Sequence, residues 1–248
     1  MRNNILITGA SSGLGRGMAR EFAALGRNLA LCARRLDRLQ ELKKELETAH
    51  PGIHISVREL DVNNHEQVFE VFRAFREELG TLDRVIVNAG MGKGASIGTG
   101  HFSANLETAQ TNFVAALAQC EAAVEIFREQ NAGHLVMISS MSAFRGMPRA
   151  LTVYAATKAG VATLSEGIRA DLMRTPIRVS TLFPGFIRSE INERLKSTPF
   201  IVDTEIGCRA MVAAIEAEKE SACVPAWPWR EISLFMKVAP LKWVSKMA

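Results

Sequence analysis

Short apolar runs alternate along this chain with longer stretches in which apolar positions recur at helical spacing. The segments 3–8, 28–33, 54–60, 84–88, 134–139 and 177–183 are rich in Ile, Val and Leu, the pattern of strands buried on both faces. Each is followed by a helical pattern, as in 15–25 after the first run. Strand–helix repetition with helix-length connections predicts an α/β fold: a Rossmann-like doubly wound parallel sheet, a single domain with helices on both faces. Such a sheet binds its ligand at the carboxyl ends of the strands. The glycine-rich stretch 90–100 and the polar stretch 188–204 lack strong periodicity and read as loops over that edge. The dinucleotide-binding and catalytic domain is expected over 1–226, with 227–248 as a basic amphipathic C-terminal segment.

Length and composition narrow this further. A chain of 248 residues that is 48% hydrophobic buries one large core, and two domains would be cramped. The formal charge of +4 is small and its charges are interspersed, so nothing in the balance calls for a nucleic-acid partner. Cys32, Cys120, Cys208 and Cys223 are far apart, with no CxxC pair or His cluster. They read as reduced core thiols, and no metal site is expected. The first apolar run is too short for a secretory signal or a membrane span, which predicts a cytoplasmic protein.

Candidate chemistry begins where the first strand ends. Thr8-Gly9-Ala10-Ser11-Ser12-Gly13-Leu14-Gly15 leads into a helix. Its glycines permit a tight turn and close backbone approach while helix amides face an anion, as a dinucleotide pyrophosphate requires. A plain strand-to-helix turn is the competing reading. The second strand ends in Ala33-Arg34-Arg35, with no acid placed for a ribose 2′-hydroxyl and two guanidinium groups that suit a 2′-phosphate. NADP (NADPH) is therefore the expected cofactor, ahead of NAD, unless the two arginines are simply solvated at the next helix start.

Tyr154, the only tyrosine, and Lys158 stand four apart in a stretch that reads as a helix to about Met173. They share a face one turn apart. A tyrosine near its reference pKa of about 10 is a poor base, and a neighbouring cation favours the phenolate. A buried aromatic in a helix is the ordinary alternative.

Together with TGASSGLG at 8–15, Asp61-Val62, Asn88-Ala89-Gly90, Asn112, Ile138-Ser139-Ser140, Tyr154 with Lys158, and Pro184-Gly185, the sequence resembles the short-chain dehydrogenase/reductase family. The likeness runs to about residue 190. It implies hydride transfer between NADP(H) and an alcohol or carbonyl group. By the same resemblance Asn112, Ser140, Tyr154 and Lys158 form the catalytic set. Gly9, Ser11, Ser12, Gly13, Leu14, Gly15, Arg34, Arg35, Asp61, Val62, Asn88, Ala89, Gly90, Tyr154, Lys158, Pro184, Gly185, Ile187 and Ser189 would bind the cofactor. Asp61 and Val62 would hold the adenine edge, and Asn88-Ala89-Gly90 would line the cofactor after the fourth strand. Pro184, Gly185, Ile187 and Ser189 would contact the nicotinamide end. Lys158 would hold the nicotinamide ribose, Ser140 would bond the substrate oxygen, and Asn112 would anchor a water. Ser140 precedes Tyr154 by fourteen positions, one more than the family pattern, and Ser142 is a competing hydroxyl. Phe144, Met147, Pro148 and Leu151 between them point to an apolar cleft and a small hydrophobic carbonyl or alcohol substrate. A non-catalytic NADP-binding sensor, or a cofactor-retaining epimerase or dehydratase, would use the same fold.

From Trp227 the chain combines bulky apolar residues with Arg230, Lys237, Lys242 and Lys246, and has no acid after Glu231. A lid or subunit contact in a homodimer or homotetramer, a peripheral membrane contact, and an irregular tail all fit this pattern. Pro240 limits any single helix.

Overall fold

The computed structural model describes residues 2–189 and 199–245. Among the described residues seven parallel strands form one sheet in the order β3-β2-β1-β4-β5-β6-β7. They are β1 (Asn4–Thr8), β2 (Asn28–Ala33), β3 (Ile55–Glu59), β4 (Arg84–Val87), β5 (Gly133–Ile138), β6 (Ile177–Pro184) and β7 (Ser221–Val224). Six lie on the predicted runs. The edge strand β7 was not expected: its four residues, Ser-Ala-Cys-Val, show no alternation, and pairing with β6 from Thr181↔Ser221 to Pro184↔Val224 is what makes them a strand.

Period-two alternation sorts the strand side chains into two cores. Ile5, Ile7, Leu29, Leu31, Ile86 and Val136 face one side, where α1 (Gly13–Ala24), α2 (Leu36–Ala49) and α7 (Thr204–Glu216) supply Met18, Phe22, Leu39, Leu42, Met211 and Ile215. Leu6, Ala30, Cys32, Val85, Val87, Leu135 and Met137 face the other, against α3 (His65–Leu79), α5 (Ala115–Gln130) and α6 (Leu151–Leu172). Both faces are covered, so the strands carry apolar residues at nearly every position. The remaining helices are α4 (Phe102–Ala109), a π-helical turn at Gln110–Val114, a short 3-10 turn at Met141–Phe144, α8 (Ala226–Val238) and α9 (Leu241–Val244).

From β1 the chain steps outward to β2 and β3, then returns to β4 on β1's other side. The crevice this reversal opens lies at the strands' carboxyl ends. At their amino ends a polar network ties the sheet to α7. The Arg84 guanidinium is fully buried against the Glu216 carboxylate, and its Nε donates to His134 Nδ1 at 2.9 Å. Burial, and then the Arg84 and Arg2 charges, push the His134 pKa down to about 2, so the ring is neutral.

Candidate active site

The glycine-rich turn folds as its composition requires. Gly9 has φ +66 and Gly13 φ +52, both in the region that side chains disfavour. A Cβ on Gly15 would stand 2.4 Å from the Gly9 carbonyl oxygen and 2.7 Å from Asn88 Nδ2, so turn and helix can approach only through glycine. Asn88 explains that contact: its Nδ2 donates to the Thr8 carbonyl at 2.8 Å, while the Asn88 and Ala89 amides donate to Thr8 Oγ1 at 3.0 and 3.1 Å. Thr8 and Asn88 thereby join the ends of β1 and β4 across the switch point. Ser189, after β6, comes next to the turn, its Cβ 3.6 Å from where a Gly13 Cβ would sit. Ser11, Ser12, Gly13 and Ser189 line a cavity of about 340 Å³ together with Arg16, Arg20, Arg188 and Thr204. Those last four were not singled out from sequence, because only the fold brings Arg16 and Arg20 to Arg188 and Thr204.

At the end of β2, Arg35 reaches back over the turn: its Nη2 donates to Ser12 Oγ at 2.7 Å and its Nε to Ser11 Oγ at 3.3 Å. Arg34 is exposed beside it. The Asp61 carboxylate accepts from the Asn63 amide at 3.0 Å, closing the turn after β3, and Val62 is buried below. Ile187 is buried with its side chain against α7, where a Gly207 Cβ would overlap it.

The catalytic candidates converge on the same edge from three elements. Tyr154 and Lys158 lie one turn apart on α6, and Ser140 follows β5. Burial holds the Tyr154 hydroxyl above its ordinary pKa, and a hydrogen bond with Ser140 draws it back down. Lys158 is buried, with Nζ donating to the Ile138 carbonyl at 2.9 Å and standing 5.9 Å from the Tyr154 ring centroid. Burial pulls its pKa down to about 8. Ser142 stands behind Ser140: its backbone amide and hydroxyl donate to Ser140 Oγ at 3.2 and 3.0 Å. Ser140 is thus the hydroxyl that meets Tyr154, and Ser142 orients it.

Asn112 sits in the π-helical turn, a local widening often found at functional positions. Its amide is committed to the loop after β4, with Oδ1 accepting from the Met91 amide at 2.8 Å and Nδ2 donating to the Met91 carbonyl at 2.9 Å. Gly90 lies between, where a Cβ would come within 3.2 Å of Asn112 Oδ1 and 3.5 Å of Lys158 Nζ. Gly185 is equally constrained: a Cβ there would stand 2.1 Å from the Trp229 indole. Trp229 is buried, and its Nε1 has no hydrogen-bond partner among the described residues. Sequence reading placed this residue in a basic amphipathic C-terminal segment whose role stayed open. Its contact with the end of β6 is purely tertiary.

A model of the short chain dehydrogenases matches residues 3–199. An uncharacterized oxidoreductase of Mycobacterium tuberculosis is 53% identical over 247 residues, covering 100% of this chain and 98% of that protein. Among solved structures, a short-chain dehydrogenase from Sphingobium yanoikuyae in complex with NADPH superposes with a TM-score of 0.81 at 26% identity, covering 94% of this chain and 92% of that one. One from Burkholderia phymatum in complex with NAD superposes at 0.84 with 22% identity, covering 96% and 92%. With this fold, this site and these relatives, the chain belongs to the short-chain dehydrogenase/reductase family. It is an oxidoreductase of that family. No helix among the described residues is long and apolar enough to cross a membrane.

Proposed function

We propose that the protein is an NADP(H)-dependent oxidoreductase that interconverts a hydrophobic carbonyl compound and its alcohol. The observation that carries the reading is the meeting of Ser140, Tyr154 and Lys158 on the same edge of the sheet as a glycine cradle shaped for a dinucleotide. The cradle fits the cofactor because Gly9 and Gly15 are packed too closely on Ala89, Asn88 and each other to carry a Cβ, which keeps the turn tight, and because the α1 N-terminus that opens from it has no side-chain cap. Arg34 and Arg35 supply charge for a 2′-phosphate, which is the ground for preferring NADP.

When bound, the nicotinamide cofactor would supply the hydride for the carbonyl carbon. Tyr154 donates its hydroxyl proton to the carbonyl oxygen, and Ser140 donates a hydrogen bond to the same oxygen as negative charge develops there. In the reverse direction Tyr154 accepts the alcohol proton. Lys158, its pKa pulled down to about 8 by burial, would hold the nicotinamide ribose and pass a proton toward Tyr154. The side-chain amide of Asn112 is occupied with Met91, so a relay water would be held by its main-chain carbonyl. Phe144 and Met147, partly buried on the loop between Ser140 and Tyr154, are the apolar side chains that suit a hydrophobic substrate.

The test is NADPH oxidation followed by absorbance against a panel of aliphatic, aromatic and polycyclic carbonyls, for wild type and Tyr154→Phe. Turnover by wild type that falls by orders of magnitude in Tyr154→Phe, with NADPH affinity kept, is expected. Equal turnover in the variant would overturn the assignment of Tyr154, and equal affinity for NADH and NADPH would overturn that of the cofactor.

A further inference from the structure

The family match ends at residue 199, and the segment 227–245 beyond it has two faces of opposite character. The inner face belongs to the protein. Trp229, Met236, Ala239 and Val244 are buried in one cluster with Met141 and Phe183, and Phe144 and Met147 pack against it. Two polar ties hold it there: Arg145 Nη2 donates to the Ala239 carbonyl at 3.2 Å, and Lys237 Nζ sits 5.0 Å from the centre of the Phe144 ring. Arg145 and Phe144 follow Ser140 directly on the loop that leads to Tyr154, so the segment forms a wall beside the candidate active site.

The outer face is apolar and open. On α8, Leu234 and Val238 stand one turn apart, 60% and 82% exposed. Beyond the break at Ala239 and Pro240, Leu241 and Trp243 continue the exposed run, and at the other end Trp227 is 73% exposed beside Phe200. Isolated exposed apolar residues are ordinary, but a run of large ones along a single element marks a contact surface.

Charge decides between occupants. Arg230 and Lys242 are exposed among these apolar residues, against the single acid Glu231 of this segment. A second copy docked through the same face would set cations against cations. An anionic lipid surface offers the complement, with Trp at the headgroup level, Leu and Val below it and the cations on lipid phosphates. We propose that α8 and α9 dock the protein on an anionic membrane surface, lying in the interface without crossing it. This goes beyond the proposed reaction and adds a route for it: because the inner face of the same helix walls the apolar cleft, a bilayer-dissolved substrate reaches Tyr154 without crossing bulk water.

The experiment is co-sedimentation of the full chain with vesicles of phosphatidylcholine alone and with about one-third phosphatidylglycerol, at low and high salt. No turnover is needed, so it stands or falls apart from the proposed reaction. Binding to the anionic vesicles only, reversed by salt, is expected. Lys242→Gln should weaken it roughly fivefold, the equivalent of one cation at such a surface. Val238→Glu should abolish it while thermal unfolding and solution mass stay unchanged. No binding to anionic vesicles, or equal binding to neutral ones, overturns the proposal. So does a fall in solution mass in Val238→Glu, which would make this face a subunit contact.

Discussion

The two serines after β5 offer a perturbation whose size follows from the geometry. Ser140 Oγ receives two hydrogen bonds, from the Ser142 amide at 3.2 Å and the Ser142 hydroxyl at 3.0 Å, and its bond with Tyr154 lies on the other side. Both bonds from Ser142 use its lone pairs, so the one Ser140 hydroxyl hydrogen serves the bond with Tyr154 here and would turn to the substrate oxygen when a substrate is bound. In Ser140→Ala that donor disappears where charge develops, a loss on the scale of one oxyanion-hole donor, roughly 100-fold in kcat. In Ser142→Ala the backbone amide still donates, so only one neutral hydrogen bond is lost. At about 1 kcal/mol that is roughly fivefold. Ser140→Ala should also raise the apparent pKa of Tyr154, since the one influence holding it down is removed. Initial rates at saturating NADPH and their pH profiles, measured for wild type and both variants, check all three expectations. An equal or greater loss of kcat in Ser142→Ala would refute the assignment of the donor to Ser140.

Three further outcomes are expected. His134 is neutral in the folded protein because its pKa is depressed to about 2, whereas an unfolded His binds a proton below about 6.5. The unfolded state therefore takes up more protons as pH falls, so this site should cost about 2 kcal/mol of stability between pH 8 and pH 5. Urea unfolding of wild type and His134→Gln across that range would show the difference as converging curves, and parallel curves would remove His134 from the account. Gly185→Ala places a Cβ 2.1 Å from the Trp229 indole, so overpacking of about 1–3 kcal/mol should lower Tm by several degrees. Trp229→Leu in the same chain should recover part of it, and an unchanged Tm in the single variant would contradict the close approach. Arg34→Ala and Arg35→Ala should each raise the Kd for NADPH about tenfold or more with NADH unchanged. Equal losses for both cofactors would move these arginines off the 2′-phosphate.

Sequence alone determined the parts of this protein whose signals are local. Strands buried on both faces must be apolar at almost every position, so β1 to β6 were legible as runs. The turn 8–15 carries its meaning in which positions lack a Cβ, and Tyr154 and Lys158 share a face by helical spacing whatever surrounds them. Tertiary structure decided whatever depends on elements distant along the chain. β7 exists because β6 offers it an edge. Sequence favoured Ser140 with Ser142 as a competing hydroxyl, and the extended backbone at Ser140 with the 3-10 turn after it sets Ser142 Oγ on Ser140 Oγ while Ser140 meets Tyr154. Arg35 lies across the glycine-rich turn because β1 and β2 are adjacent. The C-terminal segment, ambiguous as a pattern, acquires an inside and an outside only when Trp229 settles on Gly185: burial is a property of what packs against a residue, and no local pattern records it.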